Sequence, residues 1–293
     1  MNGLIVVDKP QDWTSHDVVG KMRRLAGMKK IGHLGTLDPM ATGVLPLLLG
    51  RATRLAQFFT RNDKTYEGVI RFGFSTNTYD AAGEPSGPDL NPAVALDALL
   101  PILDRFTGVF LQTPPQVSAK KVDGRKAYEL ARKRILVELK AVEVTVHSLE
   151  LLALDGRDAR IRAHCSAGTY LRSIAHDAGQ ALGCGAHLAA LRRTQSGAFD
   201  LSAARTIDEL QALAAESRLD EALVPAARLL PEFPLEIVDA ITEAQIRNGR
   251  DFRVSPFRSR GDARYVKAVT RNGDLVAIGE IVLPNLYHPI LVL

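Results

Sequence analysis

The twenty residues from Ile31 to Gly50, I-G-H-L-G-T-L-D-P-M-A-T-G-V-L-P-L-L-L-G, constrain the fold more than any other stretch. A polar turn punctuated by Gly32, Gly35 and Gly43 passes directly into an apolar run, Val44 to Leu49. Glycine opens backbone conformations closed to other residues, and Pro39 fixes its own φ. Asp38 is the only acid of the stretch and stands immediately before that proline. On residue type alone, Asp38 reads as the cap of a short helical turn with Pro39 at its first position.

The flanking chain mixes helical and strand patterns, which predicts an α+β protein. Gly3 to Val7 reads as a short strand. Thr14 to Asp17 has capping-box spacing, and Val18, Val19, Met22 and Leu25 follow at helical intervals until Gly27. Lys64 to Phe74 alternates like a half-buried strand, with Tyr66 near its start. Ser75 to Gly83 reads as an Asx-type turn, and Pro85 to Pro92 as a loop. Ala93 to Phe106 predicts a helix interrupted by Pro101. Past two adjacent prolines, Lys126 to Arg134 reads as helical. Val142 to Leu154 and Ala159 to Cys165 predict strands joined at Asp155-Gly156, and a helix runs from Ser173 to about Leu182. Pro231 to Pro234 reads as a linker. Beyond it, Arg264 to Val269, Leu275 to Leu283 and Ile290 to Leu293 predict a small β-rich module.

The net charge of +4 is mild, but it is unevenly spread. Lys120 to Lys140 holds eight Lys/Arg against three acids, and Arg247 to Arg271 holds eight against two. Between them, Thr206 to Glu243 has nine acids and two arginines. Two basic patches in an otherwise neutral-to-acidic chain are the footprint expected of a polyanion binder. The opening apolar run is too short for a signal peptide, and no run approaches the roughly 18 residues of a membrane span. Cys165 and Cys184 match neither a disulfide framework nor a four-ligand zinc site and read as reduced core thiols. The expectation is a cytoplasmic protein.

Several strings together carry a family resemblance. His33-Leu-Gly-Thr36-Leu-Asp38-Pro-Met-Ala-Thr42-Gly resembles the G-H-x-G-T-L-D-P-x-A-T-G signature of the TruB family, the tRNA pseudouridine-55 synthases. The opening resembles that family's K-P-x-G-x-T-S-x-x-V-V motif, with Asp12 in place of the usual glycine. Gln112 to Arg132 resembles its Q-x-P-P-x-x-S-A-x-K-x-x-G-x-x-A-Y-x-x-A-R segment. Cys165 to Ser173 resembles C-S-x-G-T-Y-I-R-S, and Gly185 to Thr194 resembles G-A-H-L-x-x-L-R-R-T. Thr76 to Gly83 resembles the T-x-T-x-D-x-x-G turn and reads as structural support. The resemblance runs almost unbroken from Gly3 to Phe199.

This resemblance implies a pseudouridine-synthase fold: a mixed, largely antiparallel sheet flanked by helices, with a PUA-like C-terminal domain. It divides the chain into a catalytic domain, 1–231, with an RNA-binding thumb at about 112–140, and an RNA-binding module, 232–293. It makes Asp38 the catalytic carboxylate, Tyr66 the residue that stacks on the target base, and Arg172 the partner of Asp38. His33, Gly35, Thr36, Lys121, Tyr170 and Leu191 become substrate-binding residues, with Leu191 a wall of the base pocket.

Pseudouridine formation breaks the N1–C1′ bond of uridine and rejoins the sugar at C5. A carboxylate can serve as nucleophile or stabilise positive character at the sugar, with C1′ and C6 as its two candidate points of attack. It must be ionised, and Arg172 offers a permanent charge with a fork that suits a carboxylate. Beside Arg172, the pKa of Asp38 is expected to be depressed. The target uridine must also be extruded from its loop, and stacking offsets that cost. With no metal cluster, Walker loop or dinucleotide fingerprint in the sequence, the expectation is no cofactor and no metal. The expected partner is tRNA, at its T loop and elbow, with no membrane and no obligatory protein. Two further readings stand beside this one: a guide-RNA-dependent, dyskerin-like subunit, and a non-catalytic tRNA-binding or folding protein.

Overall fold

The computed structural model describes residues 1–115, 139–255 and 263–293 in full, and the backbone of 121–122 and 125–126. The helix expected over Lys126 to Arg134 and most of the first basic patch lie outside the described residues, as does the side chain of Lys121.

In chain order, β1 (Gly3–Lys9) leads into helix α1 (Ser15–Leu25), then β2 (Ile31–His33), β3 (Thr42–Leu49), a 3-10 helix (Gly50–Phe58) and β4 (Lys64–Phe72). Helix α2 (Leu96–Asp104) precedes β5 (Gly108–Gln112), the short pair β6 (Lys121–Val122) and β7 (Arg125–Lys126), and the long hairpin of β8 (Val142–Asp155) and β9 (Asp158–Cys165). Helix α3 (Leu171–Ala181) is followed by β10 (Ala186–Ser196), β11 (Phe199–Asp200), α4 (Ile207–Ala215) and β12 (Val224–Pro225). The main sheet runs β12-β1-β3-β10-β4-β9-β8-β5, with β2 added to β3 and β11 to β10. All its pairs are antiparallel except a two-residue parallel contact of β3 with β10, Thr42 with Arg192 and Gly43 with Arg193. A mixed, largely antiparallel sheet flanked by helices is the expected architecture.

Local chemistry explains the boundaries. Thr14 and Asp17 form a complete capping box at the start of α1, and Gly27 takes φ +60 just past its end. Asp12, at the glycine position of the family motif, adopts φ 64, so the backbone keeps the left-handed turn that glycine would make. Asp38 does not cap a helix: it opens a single turn closed by Ala41 N–H to Asp38 C=O at 3.1 Å. The apolar run after it is β3, buried from Gly43 to Leu49. Pro46 cannot donate a backbone hydrogen bond, and it falls where β3 passes from β10 to β2. Pro101 does not interrupt α2, which continues through it.

The largest apolar core lies between the sheet and the helices α1 and α3, with Val18, Met22, Ile70, Phe72, Ile174 and Ala178 among its members. A second core joins β1, β3 and the 3-10 helix to the C-terminal module through Leu4, Val44, Leu55, Ile278 and Leu291. That module comprises β13 (Leu235–Val238), α5 (Ala240–Arg247), β14 (Phe252–Arg253), β15 (Tyr265–Thr270), β16 (Leu275–Leu283) and β17 (Leu286–Val292). Its sheet order is β13-β15-β16-β17-β14. Helix α5, capped by Asp239 on the Thr242 N–H, was not evident in the sequence pattern. The expected linker is firmly packed: Phe233 sits edge-on to Phe58 and 5.1 Å from Tyr265. Buried Lys267 donates to the carbonyls of Ala227 and Leu229 just before it. Both cysteines are unpaired, but only Cys165 is buried.

Candidate active site

Asp38 is held from both sides by the first turn of the chain. On its N-terminal side, Leu37 N–H donates to the Ser15 hydroxyl at 2.8 Å, and that hydroxyl donates back to Leu37 C=O. On its C-terminal side, Pro39 C=O accepts from Asp12 N–H and from the ammonium of Lys9. Lys9 is fully buried and also donates to the carbonyls of Pro10 and Trp13. Burial lowers its pKa to about 8. The Lys-Pro-x-x-x-Thr-Ser string and the Leu-Asp-Pro string are therefore two halves of one clamp.

Arg172 enters from the second residue of α3 and is almost fully buried. Its Nε is 2.9 Å from Asp38 Oδ2, and its Nη2 donates to Oδ1 at 3.2 Å. The Asp38 side chain remains one-third exposed (33%), so one face of the carboxylate is open to the cavity. The far side of the guanidinium is also engaged. Nη1 lies 3.3 Å from Asp80 Oδ2 and donates to Thr78 C=O at 3.0 Å. Asp80 is buried in turn, accepting from the Thr78 hydroxyl and the Ala82 N–H. Tyr79, at φ 65 between Thr78 and Asp80, stacks on His176 of α3 with ring centroids 3.8 Å apart.

This arrangement reverses the expected direction of the Asp38 pKa shift. Burial pushes its carboxyl above the ordinary value; Arg172 opposes the rise and Asp80 adds to it. The physical reason is that the guanidinium also faces a second carboxylate, so its charge does not outweigh desolvation at Asp38.

The pair borders a cavity of about 470 Å³. Gly35, Thr36, Asp38, Tyr66, Tyr170, Arg172 and Leu191 all line it, so seven of the nine expected site residues converge. Tyr66 comes from the buried face of β4 and Leu191 from β10 beside it. His33 does not line the cavity; it sits on β2 opposite Leu47. Lys121 has no described side chain. A cavity of this size, with Leu37, Tyr66, Leu171 and Leu191 beside the charged side chains of Asp38, Lys64, Arg172 and Arg193, suits a flat ligand of nucleoside size.

Five residues that sequence reasoning passed over belong to the same assembly. Asp80 lay in plain view in the Thr76 to Gly83 turn, read there as structural. Lys9 and Arg193 stood inside quoted motifs without a role. Gln112 exchanges two hydrogen bonds with the backbone of Tyr170, and Ser173 donates to Thr113 C=O. The start of the basic segment is thereby tied to the turn of helix that carries Arg172. Away from the cavity, Asp63, His147 and His164 place ligand-type atoms within 4.8 Å of one another. All three side chains are exposed, and Asp63 and His147 form an ordinary surface contact at 3.2 Å.

The fold is that of pseudouridylate synthases. The chain superimposes on a chain in the crystal structure of a Cbf5–Nop10–Gar1 complex with a TM-score of 0.68 and 28% identity, covering 97% of this chain and 79% of that one. A chain of an H/ACA ribonucleoprotein bound to a substrate RNA containing 2′-deoxyuridine matches equally well, at 0.68 and 27%, over 96% and 78%. Residues 23–171 match the TruB family pseudouridylate synthase N-terminal domain, and residues 172–231 match the tRNA pseudouridylate synthase B C-terminal domain. The chain is 64% identical to tRNA pseudouridine synthase B of Solibacter usitatus (strain Ellin6076) over the full length of both. It is 42% identical to the enzyme of that name from Ectopseudomonas mendocina (strain ymp), over 96% of this chain and 92% of that one. The protein belongs to the TruB family of pseudouridylate synthases. Asp38 falls within the first matched region and Arg172 opens the second.

Proposed function

We propose that the chain is a tRNA pseudouridine synthase that isomerises uridine 55 in the T loop of tRNA. The observation that carries this reading is the Asp38–Arg172 pair, open on one face to a cavity lined by Tyr66 and Leu191. The uridine leaves its stack and enters the cavity, where the Tyr66 ring and the Leu191 side chain take the place of its stacking neighbours. The ionised Asp38 carboxylate meets the ribosyl or base carbon as the N1–C1′ bond breaks. Arg172 holds the carboxylate in place and keeps it charged. The detached uracil turns so that C5 faces C1′, the C–C bond forms as Asp38 is freed, and the C5 proton is lost while N1 takes one up, so that the product is an isomer of the substrate.

Residues 1–231 act as the catalytic domain in this reading, and residues 232–293 as a module that adds contacts to the tRNA. The basic charge of the segment of about 112–140 adds phosphate contacts in this reading, and Gln112 and Thr113 at its start are fixed on α3. The chain works alone, without metal or cofactor, in the cytoplasm. No helix among the described residues is long and apolar enough to cross a membrane.

The test is to incubate the purified chain with unmodified tRNA transcript and map pseudouridine by nucleotide position. Modification at position 55 is expected. No modification by the chain alone would remove the reading; modification only when a guide RNA and partner proteins are supplied would favour the guide-dependent alternative.

A further inference from the structure

Arg193 is the largest fully buried side chain among the described residues, 1% exposed, yet it carries a permanent charge. It borders the same cavity as Asp38. A guanidinium in such a place must have its donors met, and the sequence around Gly43 shows how. β10 pairs with β3 only at Thr42 and Gly43. Gly43 takes φ +101, and a Cβ there would stand 2.2 Å from the Arg193 carbonyl, so only glycine permits this approach. Beyond it the strands part, and Nε of Arg193 donates to Val44 C=O at 2.7 Å. Nη2 donates to Gly35 C=O at 3.1 Å, in the loop that leads to Asp38. These two bonds fix the plane of the guanidinium.

The guanidinium also lies near the Lys64 ammonium, and it has Tyr66 as a cross-strand neighbour. Arg193 on β10 and Tyr66 on β4 are direct cross-strand partners. Opposed residues of an antiparallel pair put their side chains on one face, with Cβ atoms about 4.5–5.5 Å apart. Both side chains line the cavity, so the guanidinium and the phenol lie side by side within it. The charge of Arg193 also opposes the upward shift that burial imposes on the Tyr66 hydroxyl.

We infer that Arg193 is a positioning residue: anchored on Gly35 and Val44, it fixes the Tyr66 ring and hydroxyl relative to the Asp38 loop. This inference rests on the proposed reaction for its kinetic consequence, but the contact itself does not. Lysine at 193 keeps the charge and loses the fork, so it cannot serve two carbonyls and the phenol together.

The experiment uses the full-length chain with Arg193→Lys, Tyr66→Phe and the double variant. It measures single-turnover rate with enzyme in excess, tRNA affinity, and thermal midpoint. In parallel, the six tyrosines are labelled with carbon-13 at the ring Cζ, and the Tyr66 signal is assigned by its loss in Tyr66→Phe. Arg193→Lys is expected to lower the rate by up to roughly 100-fold, the cost of a misplaced reacting geometry, with tRNA affinity held within about twofold. It should move the Tyr66 signal and leave the other five in place. Adding Arg193→Lys to Tyr66→Phe should lower the rate by less than about threefold more, because coupled sites are not additive. A wild-type rate in Arg193→Lys, an unmoved Tyr66 signal, or full multiplication of the two single effects would each overturn the inference. An inactive wild-type chain would instead overturn the proposed reaction, and the Tyr66 signal would still report on the contact.

Discussion

The Asp38 carboxylate and the Arg172 guanidinium, 134 positions apart, meet edge to edge, with Nε 2.9 Å from Oδ2 and Nη2 3.2 Å from Oδ1. The ion pair at Nε and the hydrogen bond from Nη2 leave the carboxylate in one orientation, with its open face towards the cavity. The geometry depends on the planar fork as much as on the charge. Arg172→Lys should therefore lower the single-turnover rate by roughly 100-fold or more, the scale of losing a preorganised donor. Filter binding should show tRNA affinity changed by less than about threefold. A rate within about threefold of wild type would mean that charge alone suffices.

The acid side of the pH–rate profile should report Asp38. The reaction needs the ionised carboxylate, so activity falls as pH drops through the pKa of Asp38. Burial raises that pKa and Asp80 raises it further, so the limb should lie above the ordinary aspartate value of about 3.9. Asp80→Asn removes a negative charge close to Arg172 and should shift the limb of kcat/KM to lower pH, while reducing the plateau by loosening Arg172. A limb that stays in place in Asp80→Asn would show that the two carboxylates do not share the guanidinium electrostatically.

Stability should respond at Lys9. Lys9→Met keeps the length of the side chain but takes the ammonium from three carbonyls, those of Pro10, Trp13 and Pro39, the last of which keeps only the Asp12 N–H. Losing a charged donor to buried acceptors costs about 1.5–3 kcal/mol on the usual scale. Urea unfolding at pH 7 should show a lower midpoint at unchanged slope. Activity should fall with it, since Pro39, next to Asp38, keeps only one of its two donors.

Much of this site is legible in the sequence because its parts lie in compact strings. Asp38, Tyr66, Tyr170, Arg172 and Leu191 each sit inside a recognisable run, and all five border one cavity. The strand and helix patterns were equally open to reading: β4 alternates buried and half-buried residues from Lys64 to Phe72, as its sequence does. What the sequence hid was sharing. Nothing in a linear reading says that the Asp80 turn and the Asp38 turn converge on one arginine, so the direction of the Asp38 shift came out reversed. The same applies to Pro231 to Pro234, whose composition suggests a loose linker. Contacts of Phe233 with Phe58 and Tyr265, far away in the chain, make it part of a core. Pro101 shows the converse: a local rule against proline in helices gave way, and α2 continues with Leu99 and Leu103 buried on either side of it.

The first basic segment supplies a prediction that rests on charge. Replacing Lys121, Arg125, Lys126, Arg132 and Lys133 with neutral residues should weaken tRNA binding and flatten its salt dependence. Each phosphate contact removed lowers the log–log slope by roughly 0.7 to 0.9. An unchanged slope would assign the segment to a solvated face.

The most direct test of the account is Asp38→Asn, assayed for pseudouridine at position 55 under single-turnover conditions, with tRNA affinity measured on the same preparation. The exchange preserves shape and removes only the negative charge that the reaction requires. The account predicts no pseudouridine above the uncatalysed background, with tRNA bound within about threefold of wild type. Near-wild-type turnover by Asp38→Asn would contradict it.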